Sequence, residues 1–318
     1  MLFSSIIKRR FDAVLGRYDV DEAVYTYKVQ DFDGLKASQL DIDGPHGCLR
    51  GYFYYHNEPN MDKLIIFDHG VGSGHTPYLP SIYQLVSAGF TVYAYDHTGC
   101  AASDGEGILG FAQGIADLDC VLTSLQNSGY ISSTGVRLIG HSWGAYSSMN
   151  VAGFHPEVTH VVSLGGFLSA RSLIEQYLPW FVKHYSDEVM DRERIINPQF
   201  ADMDARDNLS KTKARVLHIQ STDDKKVFFN LCTPLLQDAL SDNKNIEYLV
   251  VEGKNHDPQL TRDASVLHTQ MECDLDQFHK HKPHATLSDS RAFLDAHDWK
   301  AMSVQDSSIW ETIREFMS

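Results

Sequence analysis

The sequence predicts an α/β fold with a mostly parallel central sheet, helices on both faces and a small helical cap. Three observations carry this. Apolar bursts of strand length alternate with segments whose apolar residues recur at helical spacing. One burst, at 136–139, runs straight into Gly140-His141-Ser142-Trp143-Gly144, and the small residues at 145–152 continue as a helix. Two later bursts end in turns that carry acidic residues and an imidazole, Asp223-Asp224 and His256.

Strands are expected at 49–55, 63–68, 91–96, 136–139, 160–164, 215–220 and 247–251, each a short run rich in β-branched, aromatic and aliphatic residues. Helices are expected at 78–88, 111–126, 228–240 and 307–317. In the last of these Ile309, Ile313, Phe316 and Met317 fall at i, i+4, i+7 and i+8, so it should pack on the sheet. Two stretches exceed what a strand-to-strand crossover needs. Residues 167–213 contain Tyr177, Trp180, Phe181 and Tyr185 and are expected to form a cap over the site. Residues 259–306 carry apolar residues from Leu260 to Phe278 at roughly helical spacing and form a second insertion before the C-terminal helix. The run His279-Lys280-His281-Lys282-Pro283-His284 reads as a polar, positively charged turn.

A length of 318 residues is compatible with a single α/β domain bearing insertions. With 43% hydrophobic residues the chain can build a large core without metals or disulfides. Its 27 Lys and Arg against 42 Asp and Glu give a net charge of −15, which argues against nucleic acid or an anionic membrane as the main partner. Five scattered cysteines form no Cys-x-x-Cys pair, and Met1-Leu2-Phe3 and Ile6-Ile7 precede Lys8-Arg9-Arg10, the reverse of a secretory leader. The expectation is a cytoplasmic protein; oligomeric state is not specified by the sequence.

A serine hydroxyl becomes a strong nucleophile when an imidazole takes its proton, and the imidazole needs a carboxylate to fix its tautomer. Ser142 stands in the sharp turn, while Asp224 and His256 follow in turns beyond strand carboxyl ends. Those ends lie along one edge of a parallel sheet, so the three residues can meet. Asp223 competes with its neighbour for the acid position.

In this order and spacing the chain resembles the α/β-hydrolase fold family, from about residue 49 to the C-terminus. The resemblance implies Ser142 as nucleophile, Asp224 as acid and His256 as base. It also implies an oxyanion hole made by the backbone N–H groups of Trp143 and of Val71, in the turn Asp68-His69-Gly70-Val71-Gly72-Ser73-Gly74. The family's acid turn commonly reads Gly-x-x-Asp-x-x-Val; here Ser221 replaces the glycine while Asp224 and Val227 keep the spacing. The loop beginning at Asp96 resembles the family's glycine-rich loop but departs from it at Ala101, and Asp96 is read as an organiser of that loop. His97 and His141 are read as hydrogen-bonding residues near the site. His69, Tyr177, Trp180 and Phe181 are expected beside the substrate. The activity implied is hydrolysis of small-molecule carboxylic esters of small or medium acyl groups through an acyl-enzyme, with no cofactor and no metal. Aminopeptidase-like or thioester hydrolysis on the same fold stays open, as does a non-catalytic binding role. The turn at His69 lacks the His-Gly-Gly-Gly run of one esterase branch, which weighs against bulky tertiary-alcohol esters.

Overall fold

A computed structural model describes residues 14–72 and 74–318. The apolar-then-basic stretch at 1–10 and Ser73 of the glycine turn lie outside the described residues. Among the described residues there are ten strands: β1 (Lys36–Gln39), β2 (Ile42–Gly44), β3 (Gly47–Leu49), β4 (Gly51–Tyr55), β5 (Leu64–Asp68), β6 (Thr91–Tyr95), β7 (Val136–His141), β8 (Val158–Leu164), β9 (Arg215–Ser221) and β10 (Ile246–Val251). Eight form one sheet in the order β1-β4-β6-β5-β7-β8-β9-β10, and β2 with β3 makes a separate hairpin. From β6 to β10 every pairing is parallel, whereas β1–β4 and β4–β6 are antiparallel. All residues of β5 and β6 are buried, as strands covered on both faces require.

Helices α1 (Leu79–Ser87) and α11 (Ser307–Met317) cover one face, where Leu79, Ile82, Leu85, Ile309, Ile313 and Phe316 join a single apolar cluster. The other face carries α2 (Gln113–Asn127) and α3 (Trp143–Val151). Every strand expected from the sequence is present, with one break. The run at 49–55 divides at Arg50, whose guanidinium pairs with Asp41 at 2.6 Å, so Leu49 belongs to the hairpin and only residues 51–55 to the main sheet. The helix expected at 228–240 is likewise divided, into a 3-10 turn Phe229–Leu231 and α7 (Thr233–Ala239), because Pro234 opens a new helix.

The stretch 167–213 holds α4 (Ala170–Tyr177), a 3-10 helix (Trp180–Tyr185), α5 (Ser186–Ile196) and α6 (Ala205–Leu209). It is bonded into the scaffold by Glu193, a buried carboxylate that accepts the N–H groups of Phe111 (2.7 Å) and Ala112 (3.1 Å) just ahead of α2. Burial raises the pKa of Glu193, although these two N–H groups work against the rise. The stretch 259–306 holds α8 (Arg262–His281), α9 (Leu287–Asp295) and α10 (Trp299–Met302). His279, Lys280 and His281 are therefore the last residues of α8, not a turn, and the chain leaves the helix at Lys282. Cationic side chains are favoured there because the helix dipole ends negative.

Candidate active site

Ser142 sits between β7 and α3 with φ 54° and ψ −110°, a left-handed backbone that L-residues rarely adopt. The flanking glycines show why the turn demands its sequence. A Cβ on Gly140 would lie 2.3 Å from the carbonyl carbon of Gly144, and one on Gly144 would lie 2.1 Å from the carbonyl oxygen of Asp68. Strand, turn and helix can close to this distance only without side chains at both positions. The Ser142 N–H donates to the carbonyl of Leu164 at 2.8 Å, which ties the turn to β8.

His256 and Asp224 are buried in the turns after β10 and β9. His256 Nδ1 lies 3.0 Å from Oδ1 and 2.9 Å from Oδ2 of Asp224. Asp224 Oδ1 also accepts the N–H groups of Lys226 (2.8 Å) and Val227 (2.9 Å), so the loop itself holds the carboxylate in place. Asp223 turns elsewhere. Its carboxylate accepts from the Ser221 hydroxyl (2.5 Å) and from the N–H of Gly253 (2.9 Å), pinning the turn after β9 to the turn after β10. The Ser221 that replaces the usual glycine thus has a structural use.

The histidines around the site form a wiring of hydrogen bonds. The His256 carbonyl can only accept, so His141 Nε2–H donates to it at 3.0 Å, leaving Nδ1 to accept from the Tyr78 hydroxyl at 2.9 Å. Tyr78 in turn accepts the Gly70 N–H at 3.2 Å. One tyrosine therefore joins the turn after β5 to the nucleophile turn and, through His141, to the histidine turn. Burial, with His256 close by, lowers the pKa of His141 to about 4, which keeps the imidazole neutral as this wiring requires. His69 is fully buried; its Nδ1–H donates to the Gly70 carbonyl at 2.6 Å and its Nε2 accepts the His97 N–H at 3.0 Å. Burial, helped by His97, drives its pKa down to about 3. His97 lies between Asp68 and Asp117, at 2.5 and 3.1 Å. Burial opposes its protonation, but the two carboxylates outweigh that and raise its pKa to about 9. Asp96 binds the backbone N–H and ring of His75 (2.8 and 2.6 Å) and the Ala102 N–H (3.2 Å), fastening its own loop to the turn after β5.

Ser142, His256, Gly70 and Val71 open onto one cavity of about 320 Å³. The N–H of Trp143 is the first of α3, where helical N–H groups have no partner within the helix. Trp143 itself is fully buried, its indole N–H donating to the Phe111 carbonyl at 2.7 Å. The remaining walls differ from the sequence expectation. Trp180, Phe181 and Tyr177 are 84%, 55% and 57% exposed and none of them lines this cavity; His69 lies behind the turn, not in it. Trp180 and Phe181 face outward because the 3-10 helix that carries them buries only Val182, whereas Phe167 and Phe200 are buried in the core and Tyr185 packs against it. Apolar lining comes instead from Val24, Tyr25 and Leu260 and from Trp299 and Met302 of α10. Tyr25 stacks on Trp299 with ring centroids 6.4 Å apart, and the Tyr27 hydroxyl donates to the Trp299 carbonyl at 2.8 Å. A polar side is made by Lys226, Asp257, His268 and Glu272. Asp257 follows His256 directly, and adjacency to the base was the one signal that could have marked it. Burial alone would raise its pKa, but His268, His141 and His256 hold the carboxylate well below the usual range. Tyr25, Tyr78 and Trp299 carry no motif that sets them apart.

A family model described as "Serine aminopeptidase, S33" matches residues 59–214, from just before β5 to just before β9. No curated protein is matched by sequence. Among solved structures, an esterase from Pyrococcus furiosus is similar with a TM-score of 0.59 and 18% identity, covering 84% of this chain and 97% of that one. A puromycin-hydrolyzing peptidase from Mycobacterium tuberculosis has a TM-score of 0.53 at 17% identity over 70% of this chain and 36% of its own. The esterase domain of a Rhodothermus marinus protein has a TM-score of 0.50 at 17% identity over 70% of this chain and 90% of its own. Among the described residues no helix is long and apolar enough to cross a membrane.

Proposed function

We propose, for a chain that belongs to the α/β-hydrolase fold family, that it is a serine hydrolase cleaving carboxylic esters of small or medium acyl groups, with Ser142, His256 and Asp224 as its triad. The observation that carries this reading is a histidine bound through Nδ1 to a buried carboxylate while its ring shares a cavity with a serine in a strained turn. Asp224 accepts from Nδ1–H and leaves Nε2 as the base. That nitrogen takes the Ser142 proton as the oxygen attacks the ester carbonyl, then passes it to the leaving alcohol. Charge that develops on the carbonyl oxygen meets the N–H groups of Trp143 and Val71. A water molecule, deprotonated by the same imidazole, releases the acid from the acyl-enzyme. The cavity volume suits a short acyl group, and the stretch 259–306 acts as its wall while 167–213 forms an outer cap. With its widely scattered free cysteines the enzyme suits a cytoplasmic setting.

A fluorophosphonate probe tests the reading: it should label the protein at Ser142 and fail to label Ser142→Ala. A panel of p-nitrophenyl esters of increasing chain length, beside aminoacyl anilides and acyl thioesters, then separates esterase from aminopeptidase and thioesterase. The aminopeptidase alternative is favoured by the family model, and faster turnover of the anilides than of every ester would establish it.

A further inference from the structure

The proposed acyl-enzyme chemistry makes no use of the polar side of the cavity. There Lys226 Nζ lies 2.5 Å from Glu272 Oε1, and His268 Nδ1 lies 3.2 Å from Asp257 Oδ2. His268 and Glu272 are four residues apart on α8 and so share a face of that helix. Lys226 belongs to the acid turn, its own N–H holding Asp224. The Lys226 ammonium has turned one of its three N–H groups toward Glu272 and retains two, and the His268 imidazole, which turns Nδ1 toward Asp257, carries a second donor at Nε2 in its protonated form. Among the described residues neither His268 Nε2 nor the rest of the Lys226 ammonium has a further partner. Asp257 is more fully engaged than Glu272. Asp257 accepts from His268 on one oxygen and from Gln259 at 3.4 Å on the other, with His141 Nε2 3.6 Å away.

The Lys226 ammonium and the His268 imidazole, whose protonation the neighbouring Asp257 favours against the effect of burial, thus face a small cavity, each backed by a carboxylate that fixes its orientation. This is notable in a chain of net charge −15, whose overall field repels anions. An arriving ammonium group would find only the outer oxygen of Glu272, whereas a carboxylate would find donors at two points, one for each of its oxygens. We propose that the preferred ester carries a carboxylate elsewhere in the molecule, and that Lys226 and His268 bind it. The proposal rests on the serine hydrolase reading and narrows its substrate class to anionic esters.

The carboxylate can belong to the acyl or the alcohol half, and paired substrates distinguish the two. Monoethyl adipate against ethyl hexanoate places it on the acyl side; 4-acetoxybutanoate against butyl acetate places it on the alcohol side. Ethyl 6-aminohexanoate supplies the opposite charge. In one pair the anionic ester should exceed its neutral partner in kcat/KM by about tenfold or more, the range of a charge-assisted hydrogen bond. Lys226→Met and His268→Gln should each bring that ratio toward one, chiefly through KM, and Lys226→Arg should restore it. Adipate titrated by calorimetry into Ser142→Ala gives a readout that needs no turnover: it should bind, and about tenfold more weakly when Lys226→Met is added. Equal or faster turnover of the neutral partner in both pairs, preference for the ammonium ester, or adipate binding unaffected by Lys226→Met overturns the proposal. Failure of fluorophosphonate labelling would instead overturn the hydrolase reading, and the adipate titration would still decide whether the cavity takes a carboxylate.

Discussion

Asp224→Asn, compared with Asp223→Asn, puts the acid assignment under the sharpest test. Asn is nearly isosteric with Asp, so neither substitution changes packing. At position 224 the amide oxygen is drawn to the place of Oδ1, where the N–H groups of Lys226 and Val227 point. Reversing the amide would set its NH₂ against those two donors and cost about 1–3 kcal/mol for each bond lost. The NH₂ is therefore held at the place of Oδ2, 2.9 Å from His256 Nδ1. A donor there opposes Nδ1–H and favours the tautomer whose proton is on Nε2, and that nitrogen can no longer take the serine proton. In triad enzymes this substitution lowers turnover by about 10⁴. Asp223→Asn weakens bonds to Ser221 and Gly253 that only join two turns, so its effect should fall mainly on stability, by about 1–3 kcal/mol. Steady-state rates on p-nitrophenyl butyrate, with thermal unfolding as control, separate the two. If Asp223→Asn costs the greater share of turnover at unchanged fold, the acid assignment is wrong.

Three further outcomes follow from the geometry. Trp299→Ala should widen the cavity and shift the chain-length profile toward longer acyl esters, whereas Trp180→Ala, at an 84% exposed position, should leave the profile as it is; the reverse ranking would return the lining to the 167–213 stretch. Gly144→Ala forces a Cβ into the Asp68 carbonyl and should destabilise the protein by about 1–3 kcal/mol or more while depressing activity, read by denaturant unfolding beside kcat/KM. Asp306, which caps α11 and binds Lys254 Nζ at 2.6 Å, has a pKa lowered to about 2: burial raises it, but Lys254, Ser308 and Ile309 more than compensate. Since its folded pKa is below the unfolded value, its contribution is present above about pH 4 and fades as pH falls toward 2. Wild type should thus exceed Asp306→Asn by about 1–3 kcal/mol at pH 7 and converge with it near pH 2, as followed by urea unfolding across that range.

The central strands and the nucleophile turn were legible because their signals are local. A buried parallel strand such as 64–68 is apolar on both faces, and Gly140 beside Ser142 answers a steric demand within five residues, although that on Gly144 comes from Asp68 at the end of β5. Strand β1 left no such mark: Lys36–Gln39 is exposed along its whole length at a sheet edge, so no apolar alternation announces it. Cavity walls were legible only in part. Leu260 was in a segment recognised as an insertion, but Tyr25 precedes the first strand and reaches the site through tertiary packing on Trp299. Clustered aromatics at 177–185 suggested a lining because large rings are usually covered. Composition does not set the direction a helix faces, and here that direction is outward.

Glu193 has a consequence for how far this scaffold can be altered. Its carboxylate occupies the space over Gly110, where a Cβ would come within 2.4 Å of Oε2, and it takes up the N–H groups of Phe111 and Ala112. The 167–213 excursion is therefore keyed into the sheet-covering layer by this buried acid, beside a buried hydrogen bond from Asn208 to Asn150 of α3. Excising the excursion, or exchanging it for one from another hydrolase, strips two interior amides of their acceptor and opens a hollow above a glycine. A transplant that keeps Glu193 and Gly110 as a matched pair preserves the joint, and one that moves either alone breaks it.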